Sequence, residues 1–454
     1  MKNASIAAFR ERIRATHPRT RKAHLNTLFG LAVKGGGIII SLVLVPLTID
    51  YLSKETYGTW LTISSIVTMI ALFDIGVGNG LRNKLSEAVT KQDMTLARVY
   101  VSTAYAIFGL LQTGFSLLFI VLFSYIPWQK LLNTSIDNEQ LQLIILMTAV
   151  SMAVKMLLDI LSYVLFAIQD SGLAGFINLL SNIVILVGTY LLTKFSNANL
   201  FYLGAVTVLS PIVVLLISGF VLYRNKLNMY RPSLKLADFQ YAKSLLSLGY
   251  KFFFIQMAVV VLFYTDNLII TQLFGPAEVT TYNVAFRYFN SINTVFAIVI
   301  TPYWSAFTEA YAKSDLNWIK QTYRYLQKLW VGLVIVVILM ITVSKSIYSI
   351  WIGDRVNISF TLSVCMGIFV IISCWNSVTV TIINGLGKVK LQLYLSAIAA
   401  LINIPLSIFF GKTLGLGSSG VIIATSFSLL IGSVIGGLQA WKLSTGKATG
   451  IWDK

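Results

Sequence analysis

Twelve apolar runs, each long enough to cross about 30 Å of hydrocarbon, leave this chain few ways to fold. They fall roughly at Leu28–Asp50, Tyr57–Leu81, Val99–Tyr125, Leu141–Ile168, Leu173–Leu192, Leu200–Tyr223, Leu248–Leu273, Tyr282–Phe307, Tyr325–Val343, Phe360–Ile383, Leu391–Phe410 and Ser419–Trp441. With 56% hydrophobic and 11% charged residues, the chain has too much apolar surface for one soluble core, since soluble domains carry about 25% charge. The expected fold class is an all-α integral membrane protein with twelve transmembrane helices.

The net charge of +18 would suit a nucleic-acid partner, but its placement reads as topology. Of the 35 Lys and Arg residues, 26 lie in the basic tail, the alternate loops and the C-terminal tail that share one side of a twelve-span arrangement. Six, Lys54, Lys130, Lys194, Lys345, Arg355 and Lys412, lie on the other side. The positive-inside rule puts the 26 and both termini in the cytoplasm. The charge then meets anionic lipid head groups, and no nucleic acid is expected. Residues 1–26 form a basic tail in which Ile6, Phe9 and Ile13 share one possible helical face; a surface-lying helix and a solvated tail both remain open. No apolar core precedes the basic run, so no signal peptide is expected.

Residues 224–247 form the longest polar connection and divide six spans from six. The expected organisation is a basic tail at 1–26, a first six-helix lobe at 27–223, the cytoplasmic connection at 224–247, a second lobe at 248–441 and a cytoplasmic tail at 442–454. A short pattern supports this 6+6 repeat. After the second span the chain reads Glu87-Ala88-Val89-Thr90-Lys91-Gln92-Asp93, and after the eighth Glu309-Ala310-Tyr311-Ala312-Lys313-Ser314-Asp315, both E-A-x-x-K-x-D. Each of those spans also begins near a tyrosine, Tyr57 or Tyr282, after a short turn containing Glu55 or Glu278. Six spans is an even number, so the halves insert in the same orientation.

Intramembrane charge is expensive unless it is paired or faces a wet cavity, and so it marks candidate function. Six residues qualify: Lys34, Asp74, Lys155, Asp159, Asp266 and Arg287. Lys155 and Asp159 are four apart on one helix and can face each other. Lys34 and Asp74 fall toward the cytoplasmic end, Lys155 and Asp159 near the middle, and Asp266 and Arg287 toward the outer face. In a shared cavity they would form a ladder of charge. Pro46, Pro211, Pro302 and Pro405 lie inside spans, where they kink a helix and free a carbonyl, either as moving joints or as fixed bends. Gly35-Gly36-Gly37 beside Lys34 would let a neighbouring helix approach closely. Cys365 and Cys374 share one apolar run and read as packing residues, and the two histidines, His17 and His24, lie in the basic tail, so no metal site is expected.

The turn Leu52 to Trp60 has the form L-x-x-E-x-Y-G-x-W, and F-D-I-G-V-G-N-G-L follows at Phe73 to Leu81 with a polar N-K-L-S-E-A loop. Together with T-D-N-L-I-I at Thr265 to Ile270 and Y-N-V-A-F-R at Tyr282 to Arg287, these resemble the O-antigen-type flippases, the polysaccharide exporters of the multidrug/oligosaccharidyl-lipid/polysaccharide exporter superfamily. The resemblance covers most of the chain. It implies two six-helix lobes around a central cavity that opens alternately to either side of a bacterial cytoplasmic (inner) membrane. It also implies a cargo, a polyprenyl-diphosphate-linked oligosaccharide moved from the inner to the outer leaflet. Lys34, Lys155 and Arg287 are then the candidates for meeting the diphosphate or acidic sugars, and Asp74, Asp159 and Asp266 the candidates for helix pairing or for coupling to protons or Na+. No cofactor is expected, and a monomer is, in membrane lipid and near a polysaccharide polymerase and a chain-length regulator. A multidrug antiporter of the same superfamily would share the architecture but favour an acidic, aromatic-lined cavity, and a lipid II flippase usually has extra spans. A membrane glycosyltransferase or polymerase would need a catalytic outer loop, and the longest outer loops hold only Asp137, Glu139 and Asp354 as acids, so no enzyme is expected.

Overall fold

Hydrocarbon offers the backbone no hydrogen bonds, so a spanning segment must satisfy its own N–H and C=O groups, which a helix does within one segment. The computed structural model of the chain describes residues 18–69, 76–246 and 249–453, and among these it contains helices and turns but no strand. Fourteen helices have eight residues or more. In the first half they are α1 (Pro18–Tyr51), α2 (Lys54–Met69), α3 (Val77–Thr90), α4 (Met94–Phe123), α5 (Asn138–Leu158), α6 (Ile160–Ala167), α7 (Ser171–Phe195) and α8 (Leu200–Arg224). In the second half they are α9 (Gly249–Phe274), α10 (Pro276–Ala312), α11 (Leu316–Trp351), α12 (Phe360–Gly385), α13 (Lys390–Ile408) and α14 (Gly417–Ser444).

These helices follow the twelve predicted spans, and ten apolar stretches among the described residues are long enough to cross a membrane. The chain is a multi-pass membrane protein. The second span does not run as one helix: it is interrupted, just before α3, at Gly76, whose φ of 77° is the left-handed conformation that glycine adopts without strain. The fourth is likewise broken, at Asp159, between α5 and α6. Asp74 and Phe73 lie outside the described residues, as does most of the basic tail. Pro46, Pro211, Pro302 and Pro405 all sit inside helices, as expected. The glycine triplet differs from expectation. A methyl group on Gly36 would meet Leu179 at 3.3 Å, but one on Gly35 would meet nothing within 4 Å and one on Gly37 only Asn182 at 3.9 Å. Most of that stretch opens space instead of closing it.

Two lobes result, α1–α8 and α9–α14. Helix α2 of the first packs on α9 and α10 of the second, and α1 touches α10. The repeat seen in the sequence is a repeat of geometry. In both copies of E-A-x-x-K-x-D the glutamate pairs with the lysine four residues on, Glu87 with Lys91 and Glu309 with Lys313. The following Gln92 and Ser314 take positive φ of 58° and 56°, and the aspartate caps the next helix, Asp93 accepting from the Leu96 N–H and Asp315 from the Trp318 N–H. Lys91 and Lys84 pull the Glu87 carboxyl down to about 2, and Lys313 pulls Glu309 in the same direction. Both pairs therefore persist as pH falls through the ordinary carboxylate range, and Glu87 loses its charge only as pH falls toward 2. A related turn follows the fourth and tenth spans, with Gln169 (φ 61°) and Gly387 (φ 72°). Because left-handed backbone costs a non-glycine residue about 1 kcal/mol and an aspartate cap contributes about as much, Ser314→Gly should raise and Asp315→Ala lower the melting temperature of the purified protein. Shifts of the same sign would contradict this account of the turn.

The connection at residues 225–246 holds itself to the first lobe. It forms single 3-10 turns at Asn228–Tyr230, Leu234–Leu236 and Phe239–Tyr241 and a short helix at Ala242–Leu246. Arg98 donates to the Arg231 carbonyl, Thr103 exchanges hydrogen bonds with the Asp238 backbone, and Leu245 approaches Gly80 so closely that a Cβ there would lie 1.9 Å from its carbonyl oxygen.

Candidate functional site

Between the lobes lies a cavity of about 1260 Å³. It is walled by α1, by the broken fourth span, by α7 and α8, and by the middle of α10. Its rim residues Gly30, Arg82, Ser171 and Pro302 lie toward the face that carries the basic loops, so the cavity opens there. The opposite face is shut. Every hydrogen bond and ion pair that joins the lobes among the described residues lies at or beyond the level of Arg287. Thr62 bonds Thr271 at 2.6 Å, Asn267 donates to Ser65 at 2.7 Å, and Thr280 donates to the Lys54 carbonyl at 2.7 Å. Asn133 and Gln272 reach across to backbone carbonyls, and Arg355 grips Asp50 with two nitrogens. Glycine permits this contact: a Cβ on Gly58 would lie 1.7 Å from the Pro276 carbonyl oxygen.

Pro46 contributes to the closed end. Without an N–H it leaves the Leu42 carbonyl free, and the Trp351 indole donates to that oxygen at 2.9 Å. One residue earlier, Arg287 Nη1 donates to the Ser41 carbonyl at 3.1 Å and to its hydroxyl at 3.2 Å. The bend in α1 is thus tied to α10 and α11 of the other lobe.

Four of the six charged residues singled out in the sequence, Lys34, Lys155, Asp159 and Arg287, line this one cavity. At 1.5 Å per residue, Arg287 lies about 16 Å from the closed end of α10, and Lys34 and Lys155 about 25 Å from the closed ends of α1 and α5. Lys155 is spent on Asp159, at 2.6 Å. Arg287 is held by Ser41 through one nitrogen, leaving its remaining donors toward the cavity. A fifth charged residue, Arg82, is exposed at the mouth with its guanidinium 5.6 Å from the centre of the Phe166 ring. In the sequence Arg82 reads only as a topology charge; its place on α3 at the cavity rim gives it a second role. Four cations and one carboxylate therefore face the cavity among the described residues, and Lys34 and Arg82 have no acidic partner there.

Asp266 is elsewhere. It is 3% exposed inside the second lobe, where Tyr282 donates to it at 2.7 Å and Thr425 at 3.2 Å. Asn403 donates to the Thr425 hydroxyl at 3.1 Å, while Asn403 Oδ1 and Ser407 Oγ have no partner among the described residues. The expected ladder of charge is shorter than the sequence suggested, since Asp266 does not join it and Asp74 falls outside the described residues. No group of three or more potential metal ligands occurs among the described residues, and both cysteines are buried free thiols.

Residues 252–409 match the MatE family. The chain is 22% identical over 407 residues to a Salmonella typhimurium protein described as "Putative O-antigen transporter", which covers 86% of this chain and 90% of that protein. A Yersinia pseudotuberculosis "Putative O-antigen export protein" is 24% identical over 284 residues, 61% of this chain and 63% of its own. In three dimensions the chain superposes on a multidrug resistance MATE family transporter of the MOP superfamily in its inward-facing conformation, with a TM-score of 0.70 at 14% identity over 93% of this chain and 98% of the other. The outward-facing conformation of such a transporter gives a TM-score of 0.67 at the same identity, over 93% and 94%. The chain thus shares the fold of these transporters, carries a MatE segment and is similar over most of its length to a protein named as an O-antigen transporter.

Proposed function

We propose that this protein is a flippase that carries polyprenyl-diphosphate-linked oligosaccharide units from the inner to the outer leaflet of a bacterial cytoplasmic membrane, by alternating access, for surface polysaccharide synthesis. The observation that carries the reading is the cavity's charge, four cations against one carboxylate among the described residues. A diphosphate cannot cross hydrocarbon unaided and needs unpaired cations at its resting place. Lys34 and Arg82 supply them at the mouth, Arg82 through two parallel hydrogen bonds and Lys34 as a point charge. A cavity of about 1260 Å³ exceeds the 300–1,000 Å³ typical of drug-sized ligands, which suits an oligosaccharide. The relatives' descriptions point the same way. A cationic drug would meet repulsion here.

On this reading the cavity faces the cytoplasm, with both termini. Pairing of the lobes at the closed face must break and re-form at the other for each unit moved. Asp266, a buried carboxylate with no cation beside it, is the group whose charge is most costly to keep, and we assign to it the coupling to protons or Na+. The protein works as a monomer in the lipid bilayer, beside a polymerase and a chain-length regulator.

A deletion strain tests the reading. The wild-type gene should restore surface polysaccharide and remove lipid-linked repeat units from the inner leaflet, without protecting a drug-sensitive host from cationic drugs. Drug resistance without polysaccharide rescue would overturn the proposal in favour of an antiporter.

A further inference from the structure

Amide side chains inside the membrane segments of this protein are mostly spent on holding helices together. Asn267 donates to Ser65, Asn283 to Asn267 and Asn403 to Thr425. Asn178 and Asn182, by contrast, lie one turn apart on α7, line the cavity and make no hydrogen bond among the described residues. Across the cavity, Asn290 on α10 receives Asn293 on its oxygen and keeps its own N–H groups for the lumen, with Thr294 one turn further along the same face. The space in front of Asn182 exists because α1 has a glycine there: a Cβ on Gly37 would lie 3.9 Å from Asn182 Nδ2.

We propose that these groups form the sugar site of the cavity, for uncharged pyranose units bearing hydroxyl or acetamido groups. A carboxamide offers two donors and an acceptor in one plane, which matches neighbouring sugar hydroxyls without asking for charge. An unpaired polar group at membrane depth is costly, and one that lines a cavity can be satisfied there by water or ligand. Depth fits the order of a lipid-linked cargo. Counted at 1.5 Å per residue, Asn182 and Asn290 lie about 20 Å from the closed ends of their helices, below Arg287 and above Lys34 and Arg82. Sugar therefore fills the deep part of the cavity, the diphosphate stays with Lys34 and Arg82, and the prenyl chain trails from the mouth. The inference rests on the proposed flippase function and adds to it the chemistry of the transported head.

The test is a binding measurement on the full chain in lipid nanodiscs, with three short-chain prenyl diphosphate probes: one without sugar, one bearing N-acetylglucosamine and one bearing glucuronic acid. The wild type should bind the N-acetylglucosamine probe about 10-fold more tightly than the sugarless one, the effect of roughly two hydrogen bonds. The Asn178→Leu/Asn182→Leu variant should lose that preference and keep its affinity for the sugarless probe, which also shows that its cavity is intact. Gly37→Val, which fills the space from the α1 side, should do the same. Lys34→Gln/Arg82→Gln should weaken all three probes alike. Equal wild-type binding of sugarless and N-acetylglucosamine probes, or equal loss of both in the asparagine variant, would overturn the sugar site and leave the flippase reading standing. Tighter binding of the glucuronic acid probe, abolished by Arg287→Gln, would move sugar recognition to the cations and overturn it as well. A wild type that binds no probe would overturn both.

Discussion

Replacing Lys34 and Arg82 together by glutamine is expected to cut outward movement of lipid-linked oligosaccharide by at least about 100-fold with protein level unchanged. Each is exposed and lines the cavity, and neither has an acidic partner among the described residues. Hydrogen bonds to charged groups contribute about 1.5–3 kcal/mol each, and 1.4 kcal/mol is a factor of ten, so losing two approaches or exceeds that figure. The single variants should fall between. Lys155 behaves differently because it already neutralises Asp159 at 2.6 Å. Lys155→Ala leaves that carboxylate unpaired in an anion path and should also block transport, whereas Lys155→Ala with Asp159→Ala should recover part of it. Transport of the glutamine double variant at the wild-type rate would remove the diphosphate from the cavity mouth.

The second large effect belongs to Gly58. A side chain there would collide with the Pro276 carbonyl at 1.7 Å and with its carbon at 2.5 Å, both backbone atoms that cannot swing aside. The clash exists only while the lobes touch at the closed face. Gly58→Val should therefore raise the energy of this state by about 3 kcal/mol or more and populate conformations open on the other side, a shift of roughly 100-fold or more. A cysteine placed at Thr62, where α2 meets Thr271, should then react with an impermeant thiol reagent added outside, in the Gly58→Val background but not in the parent. Equal labelling in both would show that this helix crossing does not govern access. Breaking the Asp50–Arg355 pair is a milder change, since it is partly exposed and such pairs contribute about 0.2–1 kcal/mol.

The spans were legible because length and hydropathy act locally, and helices follow all twelve, although the second and fourth are interrupted. The repeat was legible for a different reason. A turn that must end one helix, pass through a left-handed residue and cap the next leaves a fixed pattern, here E-A-x-x-K-x-D. Four cavity charges could be named because charge inside a membrane has so few other uses. Position across the bundle could not be read. Asp266 and Arg287 fall at similar depth in sequence terms, yet Asp266 turns into the second lobe toward Tyr282 and Thr425 while Arg287 crosses to Ser41. Arg82 and the two asparagines of α7 were missed for the same reason, that no local pattern distinguishes a residue at a rim or facing a lumen from one at a lipid surface. The carbonyls freed at Pro46 were foreseeable, but their partners Trp351 and Arg287 are contacts across about 250–300 residues of sequence.

The central claim is that the cavity carries a lipid-linked diphosphate sugar across the bilayer. The direct measurement is flipping by the purified protein in liposomes containing a fluorescent prenyl-diphosphate-linked oligosaccharide, with the leaflet read by an impermeant quencher. The account predicts that the wild type exposes the inner pool at least about 10-fold faster than protein-free vesicles, and that Lys34→Gln/Arg82→Gln returns to the protein-free rate. Equal rates with and without the wild-type protein, under proton and Na+ gradients of either direction, would contradict it.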